Sequence, residues 1–223
     1  MSLLKNAKGR QDGSGYARLF GNRKLGYLIS RVQAAVISSG TELERIIRQQ
    51  VYLIPNLDSF LDRERMPDGV QVAEKRQIKK STKLSTSGAE PDFLVFRRRK
   101  QRQSCHVIEL KDGDAFDTKK SAAEYESIHG FIRTNSPNIP YTVQAHFCCF
   151  NQNDKKTIVQ GFKSKIDIRE AMTGPEFCSL LEIDYDKIVS QRQQHCSNNV
   201  SFFLRELLNI SSVREEITKL LNA

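Results

Sequence analysis

Two apolar runs with a basic turn between them constrain the fold of this chain more than any other feature. Phe93–Phe96 and Cys105–Leu110 flank a polar, arginine-rich connection. Apolar runs of that length, bounded by polar turn residues, read as strands, and the short connection makes them a hairpin. Side chains alternate along a strand, so Glu109 and Lys111 face the same way. Asp92 opens the partner strand. Two carboxylates and one ammonium are therefore expected at one open end of a sheet. Hard oxygen donors of this kind suit a small divalent cation.

Composition narrows the class. At 223 residues, with 39% hydrophobic and 27% charged residues, the chain has the make-up of a globular domain. It has no apolar run near the ~20 residues a membrane span needs. Its first residues lack the apolar stretch of a secretory signal, so a cytoplasmic protein is expected. The five cysteines (Cys105, Cys148, Cys149, Cys178 and Cys196) show no ligand or disulfide spacing and read as reduced thiols. Lys and Arg number 35 against 26 Asp and Glu, a net charge of +9. A surplus of that size favours polyanions through counterion release.

In chain order, residues 1–20 read as a flexible N-terminal arm. Helical periodicity starts at Tyr27, is interrupted at Ser39-Gly40, and resumes to Pro55. Thr41 and Glu44 have the spacing of a capping box. Residues 55–69 read as a loop, Val70–Ile78 as a strand, and Lys79–Gly88 as a polar, basic loop. After the hairpin, Asp117 is placed to cap a helix whose Ala122, Tyr125, Ile128 and Ile132 share a face. Tyr141–Phe150 is a strongly apolar strand, and Thr157–Phe162 reads as another. Beyond Lys163 the pattern is mainly helical, in segments divided at Gly174-Pro175 and by a polar run, Gln191–Asn199. The expected class is α/β: a single domain with a mixed central sheet flanked by helices over residues 27–162, and a helical C-terminal part over residues 163–223.

Pro91-Asp92 followed by Glu109-Leu110-Lys111, in a strand–turn–strand setting with helices on either side, resembles the PD-(D/E)xK nuclease signature. A free-standing chain of this size most resembles a type II restriction endonuclease. The resemblance implies a restriction-endonuclease-like core. It also implies Mg2+-dependent, sequence-specific hydrolysis of phosphodiester bonds in double-stranded DNA. It further implies metal ligation by Asp92, Glu109 and the Leu110 carbonyl, with Lys111 beside the attacking water. A homodimer on palindromic duplex and a separate DNA methyltransferase as functional partner follow from the same resemblance. Two other readings stay open: a repair or junction-resolving nuclease of the same fold, and a basic DNA-binding protein without catalysis.

A further acidic residue from the first helix is implied by the resemblance. Glu44 is the candidate, ahead of Glu42, and competes with its reading as the partner of Thr41 in a capping box. Glu74 is an alternative, while Asp112 and Asp114 read as turn chemistry. Basic residues on both sides of the motif are candidates for DNA phosphates: Lys79, Lys80, Lys83, Arg97, Arg98 and Arg99, with Lys119 and Lys120 at the start of the next helix.

Overall fold

The computed structural model describes residues 2–10, 15–63, 67–86, 90–100, 102–116 and 121–223. Helices α1 (Leu3–Asn6), α2 (Gly15–Phe20), α3 (Arg23–Arg48) and α4 (Leu57–Leu61) precede strand β1 (Gly69–Glu74) and helix α5 (Lys75–Lys80). Strands β2 (Phe93–Arg99) and β3 (Arg102–Lys111) are followed by α6 (Ser121–Asn135) and β4 (Thr142–Cys149). Helix α7 (Lys155–Gly161), β5 (Ala171–Thr173), α8 (Gly174–Leu181), α9 (Tyr185–Leu208) and α10 (Ser211–Leu221) complete the chain. It divides into two compact units. A sheet unit comprises residues 46–185, and a helical unit combines residues 1–45 with 186–223.

The sheet unit holds five strands in the order β1-β2-β3-β4-β5. The first three are antiparallel, while β4 and β5 add in parallel. Parallel neighbours need a crossover, and α6 and α7 supply the two required here. One sheet face carries Leu94, Phe96, Cys105, Val107, Phe147 and Cys149, packed with Ile128 and Phe131 of α6, Ile158 of α7 and the loop residue Phe116. On the other face, the His106 and His146 rings stack with centroids 5.1 Å apart. A 2.9 Å hydrogen bond links Nδ1 of His106 to Nε2 of His146.

Several local expectations are corrected. The strand read over Val70–Ile78 ends at Glu74, and the next residues wind into α5, so Lys79 and Lys80 are helical. Glu74 ends the strand because it enters a capping box with Gln77. Thr157–Phe162 is helical, within and just beyond α7. Its β-branched residues suggested a strand, but Asp154 caps the helix by accepting from the Lys156 N–H. Gly174-Pro175 starts α8 rather than ending a helix, through a capping box between Thr173 and Glu176 with proline in the first turn. A Cβ on Gly174 would lie 2.0 Å from the Phe150 carbonyl oxygen, so only glycine fits that approach.

Helix α3, whose residues 23–45 belong to the helical unit, runs 26 residues without a break at Ser39-Gly40. Gly40 is tolerated inside the helix at a cost of about 1 kcal/mol relative to alanine. No helix starts at Thr41, so the capping-box reading of Thr41 and Glu44 falls. The N-terminal residues do not form a loose arm: the described part folds into α1 and α2, and Leu4 is buried. Arg31 fixes them by donating to the carbonyl oxygens of Leu4 and Lys5 at 2.9 Å and of Ala7 at 3.0 Å. Its guanidinium also lies over the Phe202 ring of α9, 4.8 Å from the centroid. The polar run Gln191–Asn199 is part of the single helix α9, not a loop. All five cysteines are free, with Cys196 alone of them exposed. Among the described residues, no helix is long and apolar enough to cross a membrane.

Candidate active site

The hairpin register builds the site. Phe93 pairs with Ile108 in antiparallel order, so one step further along the ladder Asp92 stands opposite Glu109. The Asp92 N–H continues that ladder with a 3.0 Å bond to the Ile108 carbonyl. Lys111 lies two residues beyond Glu109, on the same face. The structure therefore brings together Asp92, Glu109 and Lys111, as the spacing predicts.

Each group is held. Asp92 Oδ2 accepts from the Leu110 N–H at 2.8 Å, which fixes the carboxylate beside that peptide. Its other oxygen lies 3.8 Å from Lys75 Nζ, at the start of α5. Lys111 Nζ donates to Glu109 Oε1 at 2.6 Å and lies 3.0 Å from Glu124 Oε1 of α6. The side chains of Asp92, Glu109 and Glu124 are only 12%, 15% and 18% exposed, so the cluster is largely withdrawn from water.

Three carboxylates thus cluster with two ammonium groups, Lys111 between Glu109 and Glu124 and the exposed Lys75 near Asp92, and the protonation equilibria show the imbalance. Burial, and next the Asp92 carboxylate, push Glu109 up to about 7, against the opposing pull of Lys111. Burial alone would lower Lys111, but Glu109 and Glu124 outweigh it and hold the ammonium above the usual lysine range. The two carboxylates therefore favour the ammonium form of Lys111. The surplus negative charge is what a divalent cation would offset, so the donor set fits a hard metal ion. Among the described residues, no group of three or more His, Cys, Asp or Glu side chains is arranged to hold a metal. Two carboxylates, completed by backbone oxygen, water and phosphate, match the way Mg2+ is usually bound.

The other expected residues separate into two groups. Arg97, Arg98 and Arg99 lie toward the far end of β2, a strand of 7 residues. At about 3.3 Å per residue, roughly 23 Å of strand separates Arg99 from Asp92, so this turn does not bracket the site. The arginines also have acidic partners. Arg98, 8% exposed, lies 3.2 Å from Asp68, and Glu182 lies 3.7 Å from Arg97 and 3.0 Å from Arg99. Lys79 and Lys80 instead lie on α5, whose first N–H, from Lys75, donates to the Asp92 carbonyl at 3.1 Å. With Lys75 and Arg76 they give α5 four exposed cations close to the site. Lys83 is paired with Asp62. Lys119 and Lys120, and the expected cap Asp117, lie outside the described residues.

Among the acidic candidates, Glu44 is half-buried within α3, in the helical unit. Glu42 is engaged by Arg45 at 2.7 Å in the same unit. Glu74 pairs with Arg48 at 3.0 Å and, opposite Phe93, faces away from Glu109. Asp112 and Asp114 are bound through their carbonyl oxygens by Asn151 and Gln152, as turn residues are. Glu124 is the carboxylate that reading the sequence missed. Its signal is present: Glu124 precedes Ile128 and Phe131 at helical spacing, a carboxylate on a helix's buried face.

Comparison with known proteins adds an independent line. No protein-family model matches the chain, and no solved structure matches it. The type II restriction enzyme HhaII of Haemophilus parahaemolyticus is 45% identical over 226 residues, spanning 98% of this chain and 99% of the relative. Identity at that level over nearly the whole length of both proteins places the chain in a family: it belongs to the type II restriction enzymes, the site-specific deoxyribonucleases.

Proposed function

We propose that the chain cleaves both strands of a specific DNA sequence with a PD-(D/E)xK site on a restriction-endonuclease-like core. Asp92, Glu109 and the Leu110 carbonyl hold Mg2+, and Lys111 serves the reaction beside them. The observation that carries this reading is the hairpin register, which sets Asp92 opposite Glu109 with Lys111 on the same face. When bound, Mg2+ supplies Lewis-acid polarisation of the scissile phosphate and neutralises its charge. Lys111, held as a cation, donates to a nonbridging phosphate oxygen and stabilises the charge that develops there. The Leu110 N–H keeps Asp92 aimed into the site. The exposed cations of α5 hold the DNA backbone.

One site cuts one strand, so a symmetric pair of chains matches a palindromic duplex. A methyltransferase of the same sequence specificity protects the host's own DNA in the cytoplasm. Digestion of plasmid DNA in Mg2+ tests the reading. The native chain should yield discrete fragments, EDTA should stop cleavage, and Asp92→Ala and Lys111→Ala should lower the rate at least about 1,000-fold while DNA binding in Ca2+ survives. Cleavage at the native rate by either variant would remove that residue from the site.

A further inference from the structure

We propose that Glu124 is a positioning residue that keeps the Lys111 ammonium in place when the metal occupies Asp92 and Glu109. The inference rests on the active-site reading given above and extends it to a residue outside the hairpin.

The ammonium of Lys111 has two carboxylate partners on two different elements. Glu109 lies on the same strand, 2.6 Å away, and Glu124 lies on α6, 3.0 Å away. Glu109 has two claims on it, since it is also a proposed metal ligand. A carboxylate that turns its oxygens to a divalent cation has less negative charge to offer a lysine. Glu124 has no such second task, so it remains as the anchor of the ammonium throughout the cycle. It also comes from a different direction. A lysine side chain has four rotatable bonds and is easily misplaced, and a contact from α6 fixes its end where a contact along its own strand leaves it free to swing.

The state of Glu124 itself points the same way. Its second oxygen, Oε2, is buried and has no hydrogen-bond partner. A buried carboxylate oxygen without a donor is costly. The helix would be more stable with an apolar residue at this position, on the face that also carries Ile128 and Phe131. The carboxylate therefore serves something other than packing, and its described contact is with Lys111.

Three substitutions test position against charge. Glu124→Gln keeps an oxygen acceptor at the same reach and should retain kcat within about threefold. Glu124→Asp keeps the charge but withdraws it by one methylene, and Glu124→Ala removes it. Both should lower kcat about 10- to 100-fold, the usual effect of losing a group that orients a site residue. KM for DNA, gel-shift affinity in Ca2+ and the thermal midpoint should stay near native values for Glu124→Asp. A readout without metal is the Lys111 ammonium signal in nitrogen-15 NMR, assigned by its loss in Lys111→Ala. It should be slowly exchanging in the native chain and in Glu124→Gln, and broadened in Glu124→Asp.

Native kcat in both Glu124→Asp and Glu124→Ala, or an unchanged ammonium signal in Glu124→Asp, would overturn the proposal. A shifted half-saturating Mg2+ concentration with native kcat at saturation would also overturn it, by making Glu124 a metal ligand. Asp92→Ala is run alongside. If it cuts at the native rate, the underlying active-site reading fails. If it is inactive while the Glu124 variants are native, only the role of Glu124 fails.

Discussion

The two ends of one hairpin carry opposite charge and meet opposite fates. At the Asp92–Lys111 end, three carboxylates cluster with two ammonium groups, Lys111 and Lys75, and the excess is left for a cation to satisfy. At the Arg97–Arg102 end, Arg97, Arg98 and Arg99 meet two acids from elsewhere in the sheet unit, Asp68 and Glu182, while Lys100 and Arg102 are exposed. A run of like charge in a sequence therefore says little about free charge in the fold. What matters is which partners the topology returns to it. The acidic cluster keeps an excess of carboxylate, so it is poised to bind something, whereas three arginines of the basic turn already lie against acids.

The sharpest way to break this contrast is to remove the acidic end. Asp92→Ala should cost at least about three orders of magnitude in cleavage rate, while Arg99→Ala should leave the rate near native. A comparable drop in Arg99→Ala would mean that the turn, too, reaches the reacting phosphate.

Acid stability probes the sheet face opposite the one that carries Glu109 and Lys111. Burial, with the Arg97 charge as second cause, lowers His106 to about 4. Burial and then His106 lower His146 to about 3. Above about pH 6.5 both rings are neutral folded or unfolded, and no penalty exists. As pH falls below 6.5 the unfolded chain takes up protons that the stacked pair refuses. Stability should then drop by up to about 1.4 kcal/mol per pH unit for each ring, levelling off only below about pH 3. His146→Gln should flatten this slope in denaturant titrations at pH 4–7. An unchanged slope would show that the pair titrates freely.

Salt dependence compares the basic groups directly. The Lys79→Ala, Lys80→Ala double variant should weaken DNA binding and reduce the slope of log affinity against log salt by about 0.9 for each phosphate that is no longer neutralised. Arg97→Ala and Arg99→Ala should change that slope less. Equal changes in both sets would erase the distinction drawn between helix α5 and the turn. The smallest effect is expected from Arg98→Ala, a destabilisation of about 1 kcal/mol in urea melts, from removal of its stem packing and its ion pair.

What could be read from the chain follows the distance over which each feature is determined. The Asp92, Glu109 and Lys111 grouping was legible because a hairpin register and strand alternation fix it within twenty-odd residues. The mixed sheet was legible in outline for the same reason, its strands being long apolar runs. Glu124 was not, because its approach to Lys111 depends on the crossover that packs α6 against β3. Short segments failed where two patterns fit: Thr157-Ile158-Val159 has the β-branched content of a strand, yet Asp154 caps it as a helix. The ion pairs of Arg97 and Arg99 were not legible because Glu182 lies some eighty residues away in sequence, and no local pattern links them.

The hydrogen bond from Ser2 to Asn199, 2.8 Å long across a separation of 197 residues, has a consequence for synthesis. The sheet unit is made of residues 46–185, whereas the helical unit is built from both flanks of it in sequence. As the chain emerges from the ribosome, α1 to α3 must wait, without their partners α9 and α10, until residues 185–221 have followed. The sheet unit can thus acquire its structure before the helical unit is complete. Truncations at the C-terminus should leave the first helices exposed and prone to aggregate while the sheet persists.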